Sequence, residues 1–437
     1  MATTKTSTVH DLYPEIVEWR RDFHQHAESG WVEFRTASLV ASRLEEWGYE
    51  VKAGKEVVDE ESRMGVPSES FLKEQEERAL AQGADPKWLP YLSGGFTGVV
   101  GLLDTGKPGP TVGLRFDMDA LDLKESSDAS HVPVKEGFQS RNHNMMHACG
   151  HDAHTSIGLG LAKLLSENKN ELTGKVKFIF QPAEEGVRGA KSMVAAGVVD
   201  DVDVFFASHI GVGIPLGQIV SGANGFLSTT KINVDYTGKA AHAGSNPEDG
   251  KNALLAASAA VLNLYGISRH SAGQSRINVG VFEAGTGRNI IPSSAHLKVE
   301  TRGETTEINQ YILKQALNII YGAASMHDVE VKTDVVGEAK TSDSSPELKV
   351  YVEETVKDIE GVDSVISDSP FGSGSEDATY MLERVKDLGG YATYLIFGTT
   401  LAAGHHHEKF DIDESAMKIA VSSLEKLVSH VEKFTLK

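Results

Sequence analysis

The sequence predicts a two-domain α/β chain in which a sheet of alternating strands and helices is interrupted by a compact βαββαβ unit. Three observations carry this. The 437 residues exceed what one ordinary core takes up. Apolar strand-like runs alternate with helical stretches through most of the chain. Between about Asn224 and Gly337 the order changes to strand, helix, strand, strand, helix, strand, the split βαβ arrangement. The boundaries fall at 1–223, 224–338 and 339–437, so the inserted unit divides the larger domain into two pieces.

The chain opens with helical spacing from Asp11 to Tyr49: Ile16, Trp19 and Phe23, then Leu39, Val40, Leu44 and Trp47, with Gly48 as the stop. Residues 57–96 break the alternation. They are acidic, carry one amphipathic piece (Phe71–Leu80), and read as a helical insertion on the surface. Strands follow at Val99–Leu103 and Thr111–Phe116. A helix after His151 comes next, for which Asp152 is the expected N-cap and Ile157, Leu159, Leu161 and Leu164 the apolar positions. Further strands fall at Lys175–Phe180, Val202–Ala207 and Tyr391–Phe397, with a Gly/Ala-rich helix over Gly189–Ala196. In the inserted unit, strands are expected at Thr229–Tyr236, Arg276–Phe282, Ala295–Thr301 and Val329–Val335. Its helices are expected from Lys251 through Ala260 and from Glu304 to Ala324.

A formal net charge of −20, from 42 Lys+Arg against 62 Asp+Glu, argues against nucleic acid and against anionic membrane surfaces. It leaves a small anionic substrate open, because local cations decide binding within a Debye length of about 8 Å. A single cysteine excludes an intramolecular disulfide framework and fits a reducing cytoplasm. Neither a signal-peptide core nor a run of 18 apolar residues is present, so a cytoplasmic location is expected.

That one cysteine, Cys149, sits in Met145–Thr155 beside three of the seventeen histidines. Cys-Gly-His ahead of a helix presents a thiolate and an imidazole together, the donor types of a transition-metal site. A buried structural cysteine among core histidines is the bland alternative. Other donor types follow strand ends: Asp117 and Asp119, Glu184 and Glu185, His209, and His405–His407. Open α/β sheets bind ligands at that carboxyl edge, so the accumulation points to a metal centre.

With these motifs in view the chain resembles the aminoacylase/glutamate carboxypeptidase superfamily of co-catalytic metallohydrolases. Within it the chain is similar to the amidohydrolase branch of hippurate hydrolases and auxin-conjugate hydrolases. The likeness runs through Trp19–Glu28, Arg115–Leu121, Met146–Asp152, Gln181–Gly186, Ala241–Gly244, Gly287–Pro292, Gly374–Ala378 and the spacing of His406 to Phe410. It implies a mixed-sheet, zinc-peptidase-like catalytic domain with an inserted ferredoxin-like dimerisation or lid domain. It also implies two divalent metal ions, Mn²⁺ or Zn²⁺, held by Cys149, His151, Glu185, His209 and His406, with Glu184 as general base and acid.

Asp117 is the expected orienting partner of a ligand histidine, while His147 and His154 are read as core or supporting residues. By the same resemblance His242, reaching a partner's site in dimeric relatives, stabilises the oxyanion. Asn289, Arg302, Gly374 and Ser375 bind substrate, and Arg188 is a candidate for a second substrate carboxylate. A helix-capping role for Glu184 and a surface ion pair for Arg302 are the structural alternatives. The implied reaction is hydrolysis of an N-aroyl or N-acyl amino acid, with p-aminobenzoyl-glutamate ahead of hippurate or indoleacetyl-aspartate. The implied assembly is a homodimer, or a heterodimer whose activity needs a paralogous chain.

Overall fold

The computed structural model describes residues 7–370 and 374–435. It divides into two compact units: Met1–Asn224 with Ser342–Phe371 and Asp377–Lys437, and Gly225–Thr341 with Gly372–Glu376.

The first unit is built on an eight-stranded mixed sheet. Its strands lie in the order Glu50–Ala53, Val99–Asp104, Lys175–Gln181, Thr111–Asp117, Val204–Ile210, Tyr391–Phe397, Gln218–Val220, Ser364–Ile366. The central four are parallel to one another, so Asp117, Gln181, Ile210 and Phe397 end on one rim. These strands are near-continuous apolar runs, as expected where both faces are covered. The helix Val9–Gln25 starts at a capping box in which Thr8 and Asp11 serve each other's amides. Its Leu12, Ile16, Trp19 and Phe23 are buried at helical spacing, and it packs on His151–Glu167, which also meets Ser415–Ser429.

The helix His151–Glu167 is buried over almost its whole length. Gly158 lets it approach the sheet: a Cβ there would lie 2.8 Å from the Phe116 ring. Its cap differs from expectation. Asp152 lies inside the first turn, where it accepts from Arg20 and His24, and Gly150 is the N-cap at φ +95°. This left-handed turn swings Cys149 and His151 to one side.

Residues 57–96 are helical at Glu69–Ala81 and Leu89–Leu92, but they are not a loose excursion. Leu72, Ala79, Trp88, Leu89 and Leu92 join the main core, Arg78 pairs with the buried Glu28 at 2.8 Å, and Arg63 stacks on Phe96 at 3.6 Å.

The second unit has strands Ser228–Thr237, Ser275–Ala284, Ser294–Gly303 and Glu330–Ala339, and helices Ala253–Leu264 and Thr306–Met326. The sheet order is Glu330–Ala339, Ser228–Thr237, Ser294–Gly303, Ser275–Ala284, antiparallel throughout. Ser228–Thr237 alternates, placing Ile232, Val234 and Tyr236 against Ala256, Ala260, Ile312, Ala316 and Ile320. Asn252 and Thr305 cap its two helices. Among the described residues no helix is long and apolar enough to cross a membrane.

Candidate metal centre

The rim formed by the parallel strands collects the donors. Ligand atoms of Cys149, His151 and His209 lie within 4.8 Å of one another, and so do those of Cys149, Glu185 and His406. The buried thiol belongs to both groups. Each donor is aimed by its local backbone. Gly150 turns Cys149 and His151 together, and a Cβ at Gly150 would meet Ile210 Cγ2 at 2.8 Å. Ala183 and Val187 bracket Glu184 and Glu185 with φ of +51° and +60°, and His406 itself has φ +64°. Non-glycine residues in this region are uncommon and gather at functional sites.

The ring nitrogens have readable roles. His209 donates through Nδ1 to the Ile210 carbonyl at 2.8 Å, which leaves the Nε2 lone pair facing Cys149 Sγ at 3.4 Å. His154 accepts the Ile210 amide proton on Nε2 (2.9 Å) and donates from Nδ1 to Asp117 (2.5 Å), so both its nitrogens are occupied. His405 accepts from Val212 N–H on Nε2 (3.0 Å), so its Nδ1–H points at Cys149 Sγ, 3.6 Å away. It is therefore a donor to the sulfur. His406 faces Glu185 Oε1 at 3.3 Å, whereas His407 is exposed and accepts the Lys409 amide proton on Nδ1. The three adjacent histidines thus have three different surroundings.

Two carboxylates support this set. Asp117 is buried between Arg115 (2.7 Å) and His154, and is 3.8 Å from His151. Asp119, which the sequence placed at the strand end without a role, lies 3.4 Å from His151 Nδ1 and accepts the amide protons of Glu184 and Glu185 at 2.9 Å each. Two residues apart, the two share a side at strand spacing, so no signal in the sequence separated them. Asp377 ties Gln181 to the amides of Gly189 and Ala190. Glu184 is largely buried, with Oε2 4.0 Å from His151 Nε2.

The donor set fits a metal on its own chemistry. Neither nitrogen of the buried His151 makes a well-aligned hydrogen bond among the described residues, the Asp119 carboxylate standing 3.4 Å from Nδ1, an expensive state that a cation would relieve. Burial and Glu185 push the Cys149 thiol up, while Cys149 and Glu185 push His406 up to about 10. Such a cluster holds protons that divalent cations displace. Burial drives His209 down, keeping its ring neutral and available as a ligand.

Arg188 donates from Nε to the Glu185 carbonyl (2.8 Å) and from Nη1 to the Gly65 carbonyl (3.3 Å); among the described residues no carboxylate pairs with it. In the second unit His242 and Asn289 are exposed and adjacent, Ala243 N–H donating to the Asn289 carbonyl at 3.0 Å. His242 accepts two amide protons on Nδ1, from Gly244 and Ser245 (3.1 Å each), so Nε2–H projects outward. Arg302 forks onto Glu300, with Nε and Nη2 at 3.0 and 3.1 Å. The Gly374 carbonyl accepts from Leu227 N–H, and the Ser375 hydroxyl donates to the Leu227 carbonyl at 2.6 Å.

A mixed α/β sheet with thiol, imidazole and carboxylate donors gathered at its carboxyl rim defines a hydrolase of the metallopeptidase class. Residues 113–430 match Peptidase family M20/M25/M40, and the chain belongs to that family. It is 54% identical to the indole-3-acetyl-aspartic acid hydrolase of Enterobacter agglomerans over 416 residues, 95% of each chain. It is 55% identical, over the same share of each, to one of the subunits of the p-aminobenzoyl-glutamate hydrolase of Escherichia coli strain K12. Among solved structures, the aminobenzoyl-glutamate utilization protein from Klebsiella pneumoniae matches with a TM-score of 0.85 and 48% identity, covering 97% of each chain.

Proposed function

We propose that the chain hydrolyses the amide between an aryl or acyl group and an amino acid, with p-aminobenzoyl-glutamate as substrate and p-aminobenzoate and glutamate as products. The observation that carries this is the thiol of Cys149 shared between two donor groups, one with His151 and His209, the other with Glu185 and His406. Those five residues would hold two divalent cations, Mn²⁺ or Zn²⁺. When bound, such cations polarise the scissile carbonyl and lower the pKa of water toward about 7.

The chain's own groups do the rest. Glu184, beside this set, takes the proton of the attacking water and delivers it to the leaving nitrogen. His242 offers an Nε2–H whose orientation is set by the two amides on Nδ1, suited to a developing oxyanion. Asn289, Arg302, Gly374 and Ser375 hold the substrate, Arg302 exchanging Glu300 for the substrate carboxylate. Arg188, with no acidic partner among the described residues, takes a second carboxylate. Asp117 orients the histidines. The inserted unit serves as the dimerisation or lid domain, and the single reduced cysteine suits a cytoplasmic protein.

The Escherichia coli relative is named as one part of a larger hydrolase, which favours a second reading, in which a paralogous chain completes the enzyme. The purified chain, reconstituted with Mn²⁺ or Zn²⁺, is assayed against p-aminobenzoyl-glutamate, hippurate and indoleacetyl-aspartate. Highest kcat/KM on the first supports the proposal, and preference for another conjugate overturns the substrate. Turnover only in the presence of a paralogous chain establishes the second reading.

A further inference from the structure

Three consecutive amide protons in the loop carrying Glu184 and Glu185 end on two buried carboxylates. Ala183 N–H donates to Glu33 Oε1 at 2.8 Å, Glu184 N–H to Asp119 Oδ1 and Glu185 N–H to Asp119 Oδ2, both at 2.9 Å. Glu33 has no solvent exposure, and its second oxygen accepts the Thr97 hydroxyl at 2.5 Å. The loop departs from relaxed geometry, with Ala183 and Val187 left-handed, a conformation side chains disfavour. Successive amides in such a turn form a concavity for anions. Here that concavity is filled by the chain's own carboxylates, and the direction of the Glu184 and Glu185 side chains follows from where those amides are held.

We propose that Glu33 is a positioning residue for hydrolysis: through the Ala183 amide and the Thr97 hydroxyl it fixes the turn that aims Glu184 and Glu185, without touching substrate. This rests on the roles given above to Glu184 and Glu185. Glu33 stands at the far end of a short chain of contacts, packed beneath the loop, and nothing in its composition marks it as different from a core acid. Burial, and after it Asp119, push Glu33 up to about 8, so an uncharged amide is a close stand-in. Glutamine keeps an acceptor for the Ala183 amide and a partner for Thr97, whereas alanine removes both.

The test compares Glu33→Gln, Glu33→Ala and Thr97→Val with the wild type by two readouts. One is amide hydrogen exchange of the metal-stripped protein across residues 182–190; the other is the split of kcat and KM with p-aminobenzoyl-glutamate. In Glu33→Ala the amides of residues 183–185 exchange at least about tenfold faster, while the Val9–Gln25 helix is unchanged; kcat falls about 10–100-fold with KM within about threefold. Glu33→Gln stays within about threefold of wild type on both readouts. Unchanged exchange and kcat in Glu33→Ala, or Glu33→Gln as impaired as Glu33→Ala, overturns the proposal. If Glu33→Ala does not fold, Thr97→Val decides. A kcat about 3–10-fold lower with faster exchange at 183–185 upholds the proposal, and wild-type behaviour overturns it. If the wild type turns over no N-acyl amino acid, the exchange readout still decides the positioning claim, and the substrate reading alone fails.

Discussion

His24 carries a proton whose cost and sign can be worked out. Its ring is buried between Asp152 Oδ2, 2.9 Å from Nδ1, and Glu125 Oε1, 3.0 Å from Nε2. With a carboxylate at each nitrogen the ring is an imidazolium. Burial opposes the charge, Asp152 and Glu125 outweigh it, Arg20 subtracts a little, and His24 is pushed up to about 9. Against an ordinary value of about 6.5, the difference of about 2.5 units at 1.36 kcal/mol each corresponds to roughly 3 kcal/mol.

The folded chain keeps a proton that the unfolded chain releases above about pH 6.5. The contribution is therefore complete below that pH and drains away as pH rises toward about 9, at up to about 1.4 kcal/mol per unit. In His24→Gln the group no longer titrates. Denaturant unfolding of the metal-stripped protein, followed by tryptophan fluorescence, reads the first unit, since Trp19, Trp31, Trp47 and Trp88 all lie there. The stability gap between wild type and variant should shrink by about 3 kcal/mol between about pH 6 and about pH 9. A gap independent of pH would show that His24 contributes packing and no charge, and the reasoning fails.

Two further outcomes are expected. Gly150→Ala forces a side chain into a left-handed position facing Ile210 Cγ2; backbone strain of about 1–2 kcal/mol and overpacking of about 1–3 kcal/mol give a loss of about 2–5 kcal/mol in denaturant unfolding. A loss under about 0.5 kcal/mol would mean that the turn is relaxed in solution. Glu184→Gln should keep the wild-type metal content by elemental analysis while kcat drops about 10²–10⁴-fold; activity within a few-fold would remove Glu184 from the proton-transfer role.

The sheet and the inserted unit were legible because their strands are long apolar or alternating runs bounded by turn residues. The donor-bearing strand ends were legible for the same reason: Asp117, Glu184–Glu185 and His209 interrupt apolar stretches abruptly. What stayed hidden depends on geometry that spacing does not encode. Asp117 and Asp119 are two residues apart and chemically identical, yet one serves Arg115 and His154 while the other holds the Glu184 and Glu185 amides. His405 is set apart from its neighbour His406 by an amide 193 residues away that occupies its Nε2. Residues 57–96 looked solvated because charged positions outnumber Leu72, Ala79, Trp88 and Leu92, the side chains that enter the core. Asp152 passed for a cap because its buried partners, Arg20 and His24, lie some 130 positions earlier.

The place of the Tyr391–Phe397 strand has a consequence for how the chain is made. It lies inside the sheet, between Val204–Ile210 and Gln218–Val220, although about 180 residues separate Ile210 from Tyr391. At roughly 5–20 residues per second, a ribosome exposes the open edge of Val204–Ile210 for about 10–40 s before its neighbour emerges. The stretch Gly225–Thr341 holds all the core residues of the second unit, so that core can form first, while the larger unit waits with unpaired backbone. Newly made chains are thus open to mispairing and to chaperone capture until Tyr391–Phe397 pairs with Val204–Ile210.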